Sequence, residues 1–178
     1  MAHAAELSNA LRTTPGIAVQ PLEYVHLTVQ RLESYADEFS DTDFAYALTR
    51  IGEALTRTPA FELSFAPAAV RERAIEATSA ESAGWGELVR VIRDVSRASG
   101  LADEVPSPQH APHYSLAYCV SETSDGSADK VLSEMARSTT CSVKEVSLVA
   151  VDQRPDLGIF TFETIERWTL VGSPAART

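Results

Sequence analysis

The chain has 178 residues, a formal net charge of −10, 44% hydrophobic residues and 22% charged residues. This fits one globular domain with a real core, and an acidic chain with no basic run excludes tight, sequence-independent gripping of long duplex nucleic acid. No apolar run approaches the roughly 20 residues of a membrane span, and Cys119 and Cys141 have neither metal-site nor disulfide-framework spacing. The opening "MAHAAELSNALRTTPG" lacks the basic start and apolar core of a signal peptide, so the expected location is cytoplasmic.

In chain order, residues 4–13 read as a short helix closed by "TPG", and "EYVHLTVQRL", residues 23–32, reads as a strand. Residues 41–58 are helical: Phe44, Leu48, Ile51 and Leu55 recur at helical spacing, with Asp41 or Thr42 as cap. "AFELSF", residues 60–65, alternates like a strand, with "VRERAIEATSA" as its expected antiparallel partner. "GWGELVRVIRDVSRASG" is a second long helix, with Trp85, Leu88, Ile92 and Val95 on one face and Gly100 as its stop. Residues 112–120 form a strand, and "DGSADKVLSEMARS" a third helix. "CSVKEVSLVAVDQ" and "GIFTFETIERWTLVG" close the chain as a hairpin joined at "RPDLG". A closing hairpin favours a mixed α+β domain over a doubly wound parallel sheet.

Two strands carry the same polar pattern. Side chains alternate faces along a strand, so in "VHLTV" His26 and Thr28 share a face opposite Val25, Leu27 and Val29. In "HYSLAY" His113 and Ser115 share a face opposite Tyr114, Leu116 and Tyr118. The apolar ladders can pack on helices, which turns the polar pairs toward a cleft. Two imidazoles can divide proton donation and acceptance between them near neutrality. Two hydroxyls can hydrogen-bond the non-bridging oxygens of a phosphate. Acid–base cleavage of a phosphodiester without a metal or other cofactor follows.

At these residues the chain resembles a known family. "HLTV" and "HYSL" are similar to the two H-x-[ST]-hydrophobic signatures of the 2H phosphoesterase superfamily, which includes 2'-5' RNA ligase-like (LigT-like) proteins and cyclic phosphodiesterases. "TPGIAVQPLEYVHLTVQRL" resembles the lead-in to the first signature, "APHYSLAY" the second, and "VSLVAVDQ … FTFETIERWTLVG" the final hairpin. The histidines lie 87 positions apart, and the likeness covers about residues 10–172. The resemblance implies a bilobal α+β fold, one domain over residues 1–178, in which two antiparallel sheets with outer helices face a central groove. It matches His26 and His113 to catalytic histidines, and Thr28 and Ser115 to phosphate-binding hydroxyls. Relative to the family, the first strand is missing: residues before "TPG" read as helix. That leaves a bare sheet edge, a template for pairing as a homodimer.

Other residues have two readings. Tyr24 lies on the His26 face and can stack on a base or ribose, or serve the sheet edge. Gln30 can meet a substrate or solvent. Arg154, in "QRPD", is a candidate phosphate or nucleotide contact, although surface turn arginines are common. His110 and His113 form an H-x-x-H, but Pro112 breaks the helix that a metal site of that spacing needs. Cys119 shares the His113 face and reads as a core thiol; Trp85 and Trp168 read as packing, and Glu6, Asp37 and Glu38 as solvated surface. The expected function is a metal-independent phosphodiesterase acting on a 2',3'-cyclic phosphate, a related cyclic nucleotide or a 2'-5' RNA linkage. The alternative is a non-catalytic module that binds a nucleotide or RNA end in the same groove.

Overall fold

The computed structural model describes residues 2–32, 38–101, 111–121 and 125–172; Asp37 and His110 lie outside them. The described residues form a mixed α+β fold with four α-helices and antiparallel sheets. Helix α1 (Ala2–Leu11) is followed by strand β1 (Ile17–Val19), a 3-10 turn at Leu22–Tyr24, and α2 (Asp41–Leu55). Strands β2 (Phe61–Phe65), β3 (Ala69–Arg71) and β4 (Ala74–Thr78) precede α3 (Ala83–Ala98). Then come β5 (His113–Cys119), α4 (Asp125–Glu134), β6 (Thr139–Val143), β7 (Glu145–Arg154) and β8 (Ile159–Thr169).

The long helices form for the expected reasons. Helix α2 buries Ala47, Ile51 and Leu55, one residue per turn along a single stripe. Its cap is Ser40, not Asp41 or Thr42: the Ser40 hydroxyl accepts from the Asp43 amide at 3.1 Å. Helix α3 is capped by Ser82, which accepts from the Trp85 amide at 3.2 Å, and ends before Gly100, whose φ of +74° suits glycine. The two helices pack on each other, and the core around them takes in Leu101, Leu170 and the flank of Trp168. Trp168 lies against α2 at Gly52, where a Cβ would sit 2.9 Å from the indole Nε1. Both tryptophans are therefore packing residues.

Strand pairing departs from expectation in three places. The four-stranded sheet runs β1-β5-β4-β3, all antiparallel, backed by Leu7 and Leu11 of α1 and by Leu132 of α4. The "VRERAIEATSA" stretch thus folds into its own β3–β4 hairpin and does not form a ladder with β2, to which it is joined by the isolated Phe65–Ser79 bridge. The turn between β3 and β4 holds Glu72 at φ 51°. Strand β2 instead pairs with β6, residue Phe61 opposite Val143 and Phe65 opposite Thr139. The strand expected over 141–153 is in fact interrupted at Lys144: β6 pairs with β2 and β7 with β8. The described strands thus form one four-stranded sheet and two two-stranded ladders.

The third departure concerns residues 23–32. They are not a strand. After the 3-10 turn, residues 25–28 run on outside any assigned strand and no described strand pairs with them. The alternation survives without the ladder, because the extended backbone alone sets it: Leu27 and Val29 pack against the core near Leu63, Phe65 and Trp85, while His26 and Thr28 are exposed.

The β7–β8 hairpin ties the molecule together. At its base, Val146 and Trp168 join the α2–α3 core. Near its tip, Gly158 (φ +67°) passes so close to Val120 and Ala18 that a side chain would collide with them. Gln20, only 2% exposed, clamps the tip strand: its amide nitrogen donates to the Phe160 and Tyr24 carbonyls, and its amide oxygen accepts from the Phe160 N–H. Replacing Gln20 by alanine leaves those backbone groups without partners. A loss of about 1–3 kcal/mol is expected in urea denaturation; a loss under about 0.5 kcal/mol would mean that water replaces the amide.

Candidate active site

Each motif histidine is fixed in the same way. His26 Nδ1 lies 2.8 Å from the carbonyl oxygen of Tyr24, and His113 Nδ1 lies 3.0 Å from that of Ala111. In both cases the partner is the residue two positions earlier. A carbonyl can only accept, so the geometry places a hydrogen on Nδ1 of both rings. Local backbone shape makes this possible. Pro112 and the start of β5 orient Ala111, and the 3-10 turn at Leu22–Tyr24 turns the Tyr24 carbonyl back toward His26.

His26 is exposed yet held. Phe162 of β8 packs edge-on to its ring at 5.5 Å and edge-on to Tyr24 at 5.2 Å. Each such aromatic contact is worth about 0.5–1.5 kcal/mol, which steadies a ring that solvent alone would leave to rotate. Tyr24 and Phe162 also line an open hollow whose wall includes Asp152, Thr161 and Glu163 of the hairpin. Tyr24 therefore sits beside His26 with one side of its surroundings open to a ligand.

The second motif reaches the same hairpin. Phe160 lies two residues before Phe162, so the two share a face of β8, and its ring is 5.4 Å from that of Tyr118 in β5. One strand face thus touches the His26 segment through Phe162 and the His113 strand through Phe160. Strand β1 contributes too: it pairs with β5, Val19 opposite Ala117, seven residues before His26. Thr28 is exposed beside His26, and Ser115 is half-buried opposite Glu76 of β4.

A β-bulge corrects the expected faces of β5. Glu76 pairs with Ser115 and Ile75 with Ala117, so Leu116 is the extra residue. Leu116 and Ala117 are both buried, at 1% and 0% exposure, and the phase of the strand reverses after them. Tyr118 consequently lies on the Ser115 side, and Cys119 does not. Tyr114 keeps its expected place on the core face, 4.9 Å from Phe65. Burial pushes the Tyr118 phenol above its usual pKa; a hydrogen bond from the Ser115 side chain lowers it, and the Glu76 charge raises it further.

Arg154 ends β7, where its guanidinium is engaged by the Asp156 carboxylate at 2.9 and 3.1 Å. That pairing holds the Asp156 carboxyl below its ordinary pKa. Among the described residues Arg154 makes no hydrogen bond or ion pair to either motif. Phe160, Phe162 and Gln20 were missed at the sequence level. The alternating "IFTFET" did signal an aromatic pair on one face, but nothing local said that the face meets both motifs.

A family model for the 2'-5' RNA ligase superfamily matches residues 3–155. The chain belongs to that superfamily. Solved structures of the same fold include TT0787 of Thermus thermophilus, 18% identical, covering 97% of this chain and 92% of that one, with a TM-score of 0.68. E. coli LigT in apo form is 18% identical over 94% of this chain and 92% of its own, with a TM-score of 0.61. The MHV ns2 PDE domain is 16% identical over 96% and 91%, with a TM-score of 0.57. No curated protein matches the chain. Among the described residues no helix is long and apolar enough to cross a membrane.

Proposed function

We propose that this superfamily member is a phosphodiesterase in which His26 and His113 act as an acid–base pair on a 2',3'-cyclic phosphate, a related cyclic nucleotide or a 2'-5' RNA linkage. The observation that carries the reading is the shared Nδ1 anchor, which gives both exposed or half-exposed imidazoles the same tautomer and fixes their rings. Anchored rings lose little orientational freedom on meeting a substrate. In hydrolysis, one Nε2 takes a proton from water as its oxygen attacks phosphorus. The other Nε2 gives a proton to the leaving ribose oxygen, and the P–O bond to that oxygen breaks. Run backward, the same pair exchanges roles.

Thr28 and Ser115 supply hydroxyls for the non-bridging oxygens, and Tyr24 with Phe162 offers aromatic surface for a base or ribose. Nucleotide-sized ligands are further supported by relatives: LigT has been solved in complex with 3'-AMP, with ATP and with NADP+. Arg154 remains a candidate nucleotide contact only if a ligand draws it from Asp156.

Turnover of 2',3'-cyclic AMP, set beside its binding by calorimetry, tests the reading. Binding without turnover would establish a binding module in place of an enzyme. The mechanism passes no step through a metal, and no three His, Cys, Asp or Glu side chains are grouped as a metal site among the described residues. Excess EDTA should therefore leave the rate within about twofold; complete loss, with rescue by zinc or magnesium, would overturn the two-histidine mechanism.

A further inference from the structure

A regular strand would carry Tyr118 to the face opposite Ser115, three residues away. The bulge at Leu116 returns it to the Ser115 side, across from Ala74 and next to Glu76, which faces Ser115 directly. The ring lies against Phe160 at 5.4 Å, and the register puts the phenol on the side of the strand that Ser115 occupies. Bulges beside active sites commonly re-aim one side chain, and here the re-aimed group is a hydroxyl placed against a proposed phosphate ligand.

Resting on the reading of Ser115 above, we propose that Tyr118 is a further substrate-contacting residue: its phenolic O–H donates to a non-bridging oxygen of the phosphoryl group at the second motif. Ser115 has one hydroxyl hydrogen. When that hydrogen is given to the phenolic oxygen, a phosphate oxygen beside the pair is met by the Tyr118 O–H, and the two hydroxyls form a donor chain ending on the ligand. The half-buried phenol keeps its proton through neutral pH, since burial and the Glu76 charge both disfavour the phenolate. A neutral donor suits this face. Glu76 already places negative charge opposite Ser115, so the oxygens of an anionic ligand there must be satisfied by hydroxyls.

Tyr118→Phe removes only the oxygen and leaves the ring on Phe160. The full chain and this variant are titrated with inorganic phosphate by calorimetry, then assayed on 2',3'-cyclic AMP and on the two diastereomers of its phosphorothioate. The contact predicts phosphate binding and kcat/KM weakened about tenfold or more. It also predicts that wild type discriminates between the diastereomers and that the variant loses this discrimination. The diastereomer ratio is measured within one protein, so it is insensitive to the folded fraction and would not move for a merely structural tyrosine. Equal phosphate affinity and an unchanged diastereomer ratio in the variant would overturn the contact. Wild type that binds phosphate, more weakly in the variant, but never turns over the nucleotide would sink the acid–base mechanism and leave the Tyr118 contact standing.

Discussion

His26→Ala and His113→Ala should each lower kcat by roughly 10²–10⁴-fold, the range for loss of a positioned acid or base. Each ring is held by a backbone carbonyl, and neither histidine belongs to a buried core cluster. The circular dichroism spectrum should therefore stay that of wild type, with the melting temperature lowered by no more than about 6 °C where the Phe162 contact is lost. The double variant should lose far less than the product of the single losses, because an acid and a base that act on one phosphoryl group act as a unit. Thr28→Ala and Ser115→Ala should cost less, on the order of 1–3 kcal/mol of transition-state binding each. The rate should follow a bell in pH. Acid protonates the imidazole that must accept, alkali strips the one that must donate, and the rate falls on both sides. Full activity in either histidine variant, or a variant that unfolds, would make that histidine structural and end the two-histidine mechanism.

The largest stability effect is expected at Phe65. It is 1% exposed and packs with Leu63, Ala77, Trp85 and Val89 where β2, β4 and α3 meet, with Tyr114 edge-on at 4.9 Å. Phe65→Ala removes a ring from a close-packed junction and leaves a cavity that its neighbours fill only in part. A loss of about 3–5 kcal/mol is expected, read as a lower midpoint and an unchanged slope in urea denaturation. Tyr114 follows His113 in β5, so the cavity opens behind the second motif, on the face away from the proposed site. Activity measured well below the melting transition should thus suffer much less than stability. Ile165→Ala, on the exposed side of β8, is the control and should stay within about 0.5 kcal/mol of wild type. A loss below about 1 kcal/mol at Phe65 would show that this junction closes around the vacancy.

What the sequence determined by itself is what the backbone settles locally. The apolar stripes of α2 and α3, with glycine at the end of the latter, need only helical periodicity. His26 and Thr28 face away from Leu27 and Val29 even though their segment joins no strand, because alternation comes from the extended backbone and not from the ladder. The two H-x-[ST] motifs carried the family for the same reason: they are short, local and chemically distinctive. Tertiary structure alone decided the rest. The choice of β6 over 69–78 as partner of β2, and the break at Lys144 after which β7 pairs with β8, depend on which distant edges are available for hydrogen bonding. The bulge that brings Tyr118 to Ser115 leaves no mark in "HYSLAYC", since any strand can absorb one extra residue where its partner's register demands it. The meeting of both motifs on Phe160 and Phe162 was equally hidden. It requires the Gln20 clamp to bring the hairpin tip onto β1 and β5, a contact between residues 140 positions apart that no local pattern encodes.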